Sequence, residues 1–259
     1  MEHGKTQELL SIAENAAIIA GKIISRATTR SFRHKGNVDL VTETDIACEE
    51  AICSFLKRET PHINILAEEG GGEKNGNRWI VDPLDGTTNF AHGFPHYGVS
   101  IGLQQNDELI VGVIYAPCSD EMFLAGKNLG SYCNQTRIHV SSVDTMQQSL
   151  IGTGFPYDRQ ENPARYTTYL NAILASAQGV RRAGSAALDL AYIAAGRLDG
   201  FWEFGLKPWD MAAGILLIQE AGGMISTIHG DQHHLLSPSI VASNAHIHSQ
   251  LLATLNNEC

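Results

Sequence analysis

Residues 79–90 read Trp79-Ile80-Val81-Asp82-Pro83-Leu84-Asp85-Gly86-Thr87-Thr88-Asn89-Phe90. The first three residues are apolar, as in a buried strand, and the rest combine turn residues with two carboxylates three positions apart. Pro83 fixes its own φ and has no N–H, so we expect the chain to turn directly after Asp82. A helix-like turn would place the Cβ atoms of Asp82 and Asp85 about 5–6 Å apart. Two bridged cations about 3.5–4 Å apart would fit between these carboxylates.

The second half of this stretch suits an anion. Gly86 allows a ligand to approach the backbone, and the N–H groups of Gly86, Thr87 and Thr88 would open a short helix whose positive end attracts phosphate. The Leu84 carbonyl, unpaired in a turn, could supply one more oxygen for a cation. An ordinary turn and helix cap has a similar composition, so the other carboxylates of the chain must decide between the two interpretations.

Length and charge limit the class of protein. With 259 residues and 43% apolar content, the chain can form one large domain or two closely packed halves. We expect an N-terminal α+β half (1–145) with the metal-binding motif and a C-terminal α/β half (146–259), packed as one compact unit. The net charge of −10 argues against a nucleic-acid surface and suits a cluster of carboxylates for cations.

The five cysteines contain no CxxC pair, which indicates reduced thiols. We find no signal peptide, and charged residues such as Glu14 and Lys22 interrupt the longest apolar stretches, so no membrane span is predicted. We therefore expect a cytoplasmic protein.

Two further carboxylates in the first half have candidate roles. Apolar residues spaced by three and four predict a helix over 6–26 and a second one that starts near Asp45. Asp45 suits the N-cap of that second helix, which is the structural alternative to a catalytic role. A short strand at 63–66 delivers Glu68, followed by a glycine loop at 70–72.

Runs of β-branched and aromatic residues predict further strands at 97–103, 109–115, 122–124, 149–153, 179–182 and 199–204. Asn106-Asp107 predicts a hairpin turn and hence an antiparallel sheet. Asn162-Pro163 predicts the start of another helix.

Three polar residues of the second half stand where an element begins or ends. Ser185 follows a small-residue turn and suits the cap of a helix that ends at Gly196. Glu203 belongs to the last predicted strand. It could border a pocket and accept hydrogen bonds from hydroxyl groups of a ligand, or it could be an exposed acid at the strand end. Asp210 falls in the first turn of a helix, where a carboxylate also stabilises the helix dipole.

The histidines offer a different kind of metal site. His233-His234 and the pair His246 and His248 could suggest a transition metal, but Gly, Asp, Ser and Pro around them indicate loops. We interpret His92 and His96, which lie nearer the central stretch, as wall or surface residues.

Three motifs closely resemble the inositol monophosphatase family. They are Glu68-Glu69, the run from Asp82 to Phe90, and Trp209-Asp210-x-Ala212-Ala213 followed by Glu220-Ala221-Gly222-Gly223. The resemblance covers nearly the whole chain, with the motifs in the family's order and at compatible spacing. Residues 181–203 look most similar to the bacterial branch, the inositol-1-monophosphatases.

This resemblance implies an α+β fold built as a layered α/β/α/β/α sandwich, two to three Mg²⁺ ions per active site, sensitivity to lithium and a homodimer. By position, Glu68, Asp82 and the Leu84 carbonyl would hold the first Mg²⁺. Asp82, Asp85 and Asp210 would hold the second, and Glu68 would also touch a weaker third ion.

The resemblance also implies roles around the metals. Thr87 and Asp45 would polarise the attacking water, with Glu68 beside them. The phosphate side of the substrate would meet Asp85, Gly86, Thr87, Thr88 and Lys35, and the alcohol side would meet Gly184, Ser185, Ala186 and Glu203. Compared with the animal enzymes, the segment between Glu68 and Asp82 is shorter and Ser185 replaces a threonine.

Hard-cation chemistry gives a mechanism. Oxygen-only ligands select Mg²⁺ over zinc. One ion would lower the pKa of a water that attacks phosphorus in line, and the other would stabilise the departing alkoxide, so no covalent phosphoenzyme is required.

Two alternatives stay open. The same residues could act on another phosphate ester: fructose 1,6-bisphosphate, histidinol phosphate, a nucleotide 3′-phosphate or NADP. A binding role is also possible, because bacterial members of the family associate with transcription and RNA-processing machinery. The acidic charge argues against direct contact with RNA, so such a role implies a protein partner such as RNA polymerase.

Overall fold

The computed structural model describes residues 2–27, 32–34, 40–73 and 75–256. The helices in this part of the chain are α1 (Glu2–Arg26), α2 (Glu43–Glu59), α3 (Thr87–His92), α4 (Pro163–Ser176), α5 (Ala186–Ala194), α6 (Pro208–Glu220) and α7 (His248–Asn256). The strands are β1 (Phe32–His34), β2 (Leu40–Thr42), β3 (Asn64–Ala67), β4 (Gly71–Gly72), β5 (Arg78–Asp85), β6 (Gly98–Gln105), β7 (Glu108–Ala116), β8 (Glu121–Gly126), β9 (Gly130–Cys133), β10 (Thr136–Ile138), β11 (Leu150–Thr153), β12 (Gly179–Arg181), β13 (Gly200–Phe204), β14 (Met224–Ser226) and β15 (Ser239–Ser243).

Most strands belong to two mixed sheets. The larger one has eight strands in the order β10-β9-β8-β7-β6-β5-β3-β4, antiparallel except for the parallel pair β3 and β5. The smaller one has five strands in the order β12-β11-β13-β15-β14, with β11 parallel to both of its neighbours. Strands β1 and β2 form a separate antiparallel pair.

The helices pack in layers around these sheets. Helices α1 and α2 cover the outer face of the larger sheet, α5 and α6 lie between the two sheets, and α4 and α7 cover the outer face of the smaller sheet. The order of layers is therefore α/β/α/β/α, and the predicted α+β sandwich is confirmed.

Alternation along β5 determines which way Asp82 faces. Trp79 and Val81 pack in the core beneath α1 and α2, whereas Ile80 packs in the core around α5 and α6. Successive side chains of a strand point to opposite faces, so Asp82 lies on the same face as Ile80. Its pairing partner Ser100 donates a hydrogen bond to the Trp209 carbonyl oxygen at 3.0 Å. Asp82 thus lies on the side of the sheet where α6 begins.

Small residues bring α6 close to the larger sheet. A Cβ added to Gly102 in β6 would lie 2.8 Å from Ala212 Cβ, and one added to Gly112 in β7 would lie 2.6 Å from the Ala213 oxygen. Both distances are shorter than real contacts, so only glycine allows this approach. The Ala212-Ala213 pair of the third motif therefore has a packing role, which holds the first turn of α6 against the sheet.

The predicted hairpin at Asn106-Asp107 is confirmed, with positive φ at both residues, as is the helix that begins at Pro163. The predicted turn after Asp82 is wrong: β5 continues to Asp85, and its pairing with β6 shifts register between Asp82 and Asp85. A bulge of this kind accommodates Pro83, which cannot donate to the sheet. The predicted loop at 70–72 is partly wrong, because β4 pairs with the end of β3.

The strands of the larger sheet come from residues 64–138 and those of the smaller sheet from residues 150–243. The division near residue 145 stays a prediction, since the central core combines residues of both parts, such as Ile80 and Phe201. Among the helices of the described segments, none has the length and apolar character that crossing a membrane requires.

Candidate active site

A cavity of about 360 Å³ opens where β5 and β13 end and where α3, α5 and α6 begin. Its acidic lining residues are Glu68, Asp82, Asp85, Asp189, Glu203 and Asp210. Its other predicted site residues are Leu84, Gly86, Thr87, Thr88, Gly184, Ser185 and Ala186. Of the predicted site residues, Asp45 lies behind Thr87 and outside this lining, and Lys35 lies outside the described residues.

The carboxylates of the cavity strongly affect one another. Burial raises the pKa of Asp82 well above its ordinary value, and the charges of Glu68, Asp85 and Asp210 raise it further. The pKa of Asp210 is also well above its ordinary value because of burial, followed by the charges of Asp85 and Glu68. Placing these acids together therefore costs free energy unless protons or cations compensate their charge.

Hydrogen bonds orient three of these carboxylates. Asp82 Oδ1 accepts from the Leu84 N–H at 3.0 Å, and Asp210 Oδ2 accepts from the Lys207 N–H at 2.7 Å at the start of α6. Asp85 Oδ2 accepts from the Ala187 N–H at 2.9 Å and from the Ser185 hydroxyl. Burial raises the pKa of Asp85 to about 6, although these bonds oppose the shift.

The donor set fits a hard divalent cation. It consists of oxygen atoms only: the carboxylates of Glu68, Asp82, Asp85 and Asp210 and the carbonyl of Leu84, whose oxygen lies 3.1 Å from the Thr87 hydroxyl oxygen. Such oxygens suit Mg²⁺ better than zinc. Within the described ranges, no three His, Cys, Asp or Glu side chains already converge on one point as a finished ligand set. The acids instead surround a shared cavity.

Asp45 connects α2 to the cavity. Thr42 is the N-cap of α2, so the N-cap interpretation of Asp45 is wrong in position: Asp45 is the third helical residue and completes a capping box with Thr42. One carboxylate oxygen accepts from the Thr42 N–H at 2.9 Å and from its hydroxyl, and the other accepts from the Thr87 hydroxyl at 2.9 Å. Burial raises the pKa of Asp45, while the bonds from Thr42 and Thr87 lower it.

The short helix after Asp85 begins as predicted, at Thr87. Gly86 has a φ of 92°, and a Cβ there would lie 3.1 Å from the His96 carbonyl oxygen, so glycine is required on both counts. Asn89 donates to the His96 oxygen at 2.7 Å and to the Ala183 oxygen at 2.9 Å. This amide fixes the loop that carries Gly184 beside the start of α3.

Ser185 serves two elements at once. Its oxygen accepts from the Leu188 N–H at 3.4 Å, which caps α5, and its hydroxyl donates to Asp85. The predicted cap is confirmed, and the same side chain also orients a cavity carboxylate.

Glu203 is not an exposed strand-end acid, because only 8% of its surface is accessible. Its pKa lies well above its ordinary value, mainly through burial and the charges of Asp210 and Asp189, with Arg182 acting in the opposite direction. A Cβ on Gly154 would overlap the Glu203 carboxylate. This acid therefore lies directly against the backbone of the neighbouring strand end.

Asp189, Arg182 and Gly154 also line the cavity, although the sequence patterns do not predict them as site residues. Asp189 is 2% exposed, and burial and the charge of Asp85 raise its pKa well above the ordinary value. The available signal was its position four residues after Ser185 on an otherwise apolar helix. The histidine pairs lie elsewhere: His248 is buried between Ser226 and Ser243, and burial lowers its pKa.

The molecule thus combines five layers with an acid-rich cavity whose donors are oxygen atoms. The chain belongs to the inositol monophosphatase family, whose model matches residues 5–259.

Two relatives and one solved structure illustrate the similarity. The Nus factor SuhB of Pseudomonas aeruginosa is 44% identical, covering 96% of each chain. The inositol-1-monophosphatase of Mesorhizobium japonicum is 43% identical, covering 94% of each. The crystal structure of the extragenic suppressor protein suhB from Bartonella henselae has a TM-score of 0.93 at 39% identity, covering 97% of this chain and all of that one. Family membership supports a phosphatase. The names of the relatives differ, since one is called a Nus factor and another an inositol-1-monophosphatase.

Proposed function

We propose that the protein is a Mg²⁺-dependent phosphomonoesterase that hydrolyses inositol monophosphate to inositol and phosphate. The observation that supports it most is the cavity shared by Glu68, Asp82, Asp85 and Asp210 at the start of α3. The name of the Mesorhizobium relative, an inositol-1-monophosphatase, supports the substrate.

In this proposal Glu68, the 82–85 segment and Asp210 would hold two to three Mg²⁺ ions. Glu68, Asp82 and the Leu84 carbonyl would hold the first ion. Asp82, Asp85 and Asp210 would hold the second, and Glu68 would also contact a weaker third. Bound Mg²⁺ supplies an activated water and compensates charge on the phosphate and on the leaving alkoxide. Asp82 would contact both of the first two ions and would therefore have no substitute among its neighbours.

Thr87 and Asp45 position the attacking water. The Thr87 hydroxyl donates to Asp45, so its oxygen can accept a hydrogen bond from the water and leave a water lone pair directed at phosphorus. Because the pKa of Asp45 is raised, its carboxylate is a better proton acceptor than an exposed aspartate. The amides of Gly86, Thr87 and Thr88 would face the phosphate oxygens. Lys35, which lies outside the described residues, stays a prediction for the phosphate side of the substrate.

The alcohol part of the substrate lies toward the smaller sheet. Glu203 accepts hydrogen bonds from hydroxyl groups of the polyol, and Gly184, Ser185 and Ala186 form the wall beside it. The metal and phosphate residues serve any phosphate monoester equally. The choice between inositol phosphate and fructose 1,6-bisphosphate, histidinol phosphate, a nucleotide 3′-phosphate or NADP therefore depends on this wall.

A phosphate-release screen over these five esters tests the proposal. We expect hydrolysis that requires Mg²⁺, decreases with lithium and has its highest kcat/KM on inositol 1-phosphate. Equal activity after complete removal of divalent cations would contradict the metal dependence, and a clear preference for another ester would contradict the substrate. Sedimentation of the same preparation should give a homodimer.

A second role is favoured by the name of the Pseudomonas relative, a Nus factor. We infer that in this role the protein acts in the cytoplasm and binds a protein of the transcription machinery, because a net charge of −10 disfavours direct RNA binding. Co-purification of RNA polymerase with the tagged protein would support this role. If the two roles are separate, the Asp82→Asn variant should retain the polymerase while it loses phosphatase activity.

A further inference from the structure

Helix α2 buries a second carboxylate one turn after Asp45. Glu49 is only 8% exposed, and both of its oxygens accept from backbone amides: Oε2 from the Glu69 N–H at 2.8 Å and Oε1 from the Gly70 N–H at 2.6 Å. Bonds to an ionised acceptor are stronger than neutral ones. Glu49 thus holds both amides that directly follow Glu68.

Asp45 and Glu49 lie four residues apart and therefore on the same face of α2. Asp45 accepts a hydrogen bond from Thr87, and Glu49 accepts from the turn after Glu68, so α2 contacts two segments that line the cavity. On its other side, Glu68 is fixed by its own N–H, which donates to the Val81 oxygen at 3.2 Å next to Asp82. The backbone of Glu68 is thereby held from both ends.

We propose that Glu49 is a positioning residue for the metal site: it fixes the turn that directs the Glu68 carboxylate into the cavity. This inference rests on the proposed function, in which Glu68 is a cation ligand. Because outer residues that orient a ligand affect metal affinity by about 10–100-fold, Glu49 should be needed for binding of the cation even though it does not touch it.

Gly70 supports the same assignment. A Cβ on Gly70 would lie 2.8 Å from Glu49 Oε1, so a larger residue at this position would push the Glu49 carboxylate away from the backbone amides. The Gly70→Ala variant therefore displaces Glu49 without removing any carboxylate from the protein.

The chain contains a matched control for Glu49. Glu220, at the end of α6, also accepts from two backbone amides of a turn: Asn128 N–H at 2.8 Å and Gly130 N–H at 2.9 Å. It does not line the cavity. Replacing either glutamate by glutamine removes one acceptor oxygen and leaves the size of the side chain unchanged.

The test measures Mn²⁺ binding without substrate, from the EPR signal of the free ion, together with amide hydrogen exchange. Glu49→Gln should speed exchange at Glu69 and Gly70 and weaken Mn²⁺ binding at least about tenfold. Glu220→Gln should speed exchange at Asn128 and Gly130 and change Mn²⁺ affinity less than about twofold. Gly70→Ala should reproduce the Glu49→Gln result and replaces it if that variant does not fold.

Unchanged Mn²⁺ affinity in Glu49→Gln or Gly70→Ala, with faster exchange at the turn, would overturn the inference, and so would an equal loss in Glu220→Gln. A wild-type protein that binds no Mn²⁺ would instead contradict the proposed function itself. The two failures are therefore distinguishable.

Discussion

Asp82 is a buried carboxylate whose pKa its acidic neighbours raise further. Burial and three nearby acids all favour its protonated form, so an ionised Asp82 destabilises the metal-free protein. The Leu84 N–H donates a hydrogen bond to Asp82 at 3.0 Å, which offsets only part of the free-energy cost of the ionised form. Cations that bind here would remove this cost and so stabilise the fold by mass action.

Asp82→Asn should therefore stabilise the metal-free protein at neutral pH. The ordinary pKa of the group is 3.8 and its folded pKa is higher, so the penalty is absent below the ordinary pKa and grows as the pH rises through the folded value. In EDTA, the melting temperature of the variant should exceed that of wild type by more at about pH 8 than at about pH 4.5. A variant that melts below wild type at the higher pH would contradict the assigned cause.

The role of a single residue was predictable where an acid stands at a strand end or at the start of a helix. Asp82, Asp85 and Asp210 stand at strand ends or helix starts, and the structure brings them into one cavity. Asp189 and Glu49 were missed because each lies within a helix, where an acid usually marks the solvent face. Only tertiary packing shows that these two are buried.

At the scale of elements, α2 joins helix capping to the candidate chemistry. Thr42 caps the helix, Asp45 completes the box, and the spare oxygen of Asp45 binds Thr87. Asparagine at position 45 would have one acceptor oxygen for the bonds from Thr42 and Thr87, so it cannot separate the two roles. Substitutions at the two threonines can.

Thr42→Ala should cost about 1 kcal/mol of stability, the usual loss for an N-cap, and lower turnover less than about tenfold. Thr87→Val keeps the cap and the shape of the side chain but removes the donor to Asp45, so turnover should fall about 10²-fold or more. Chemical denaturation and kcat on one phosphate ester give both quantities. Wild-type turnover in Thr87→Val would restore a purely structural role for Asp45.

The order of elements was largely predictable, whereas the geometry of β5 was not. Alternation and turn residues gave most strands of the larger sheet, because these signals are local. Pro83 ordinarily ends a strand, yet here the pairing resumes at Asp85 after a register shift. Pairing with β6 on one side and β3 on the other keeps β5 extended in spite of Pro83, and a short stretch of sequence does not reveal this pairing.

The whole molecule places the cavity between its two sheets. The larger sheet and the turn after β3 supply Glu68, Asp82 and Asp85, whereas Asp210 and Glu203 come from α6 and the smaller sheet. The resemblance to a family predicted this layered arrangement. Periodicity alone could not, because it does not show which faces of two sheets share a layer of helices.

Because Glu203 comes from the smaller sheet, it can select the alcohol without serving a cation. Glu203→Ala should lower kcat/KM for inositol 1-phosphate by a factor equivalent to a loss of about 1.5–3 kcal/mol of transition-state stabilisation, the value of hydrogen bonds to a charged group. p-Nitrophenyl phosphate lacks the hydroxyls and should lose little. Equal losses on the two substrates would mean that Glu203 supports the cavity in general and does not select the alcohol.

The central claim is that these carboxylates hold the cations that act on the phosphate, and anomalous scattering from crystals soaked in Mn²⁺ tests it most directly. We predict two strong peaks about 3.5–4 Å apart, bridged by Asp82 and bordered by Glu68, Asp85 and Asp210. Asp82→Asn crystals treated in the same way should lose at least one of them. A cavity without manganese in the wild-type crystals, or peaks only at the histidine loops, would contradict the account.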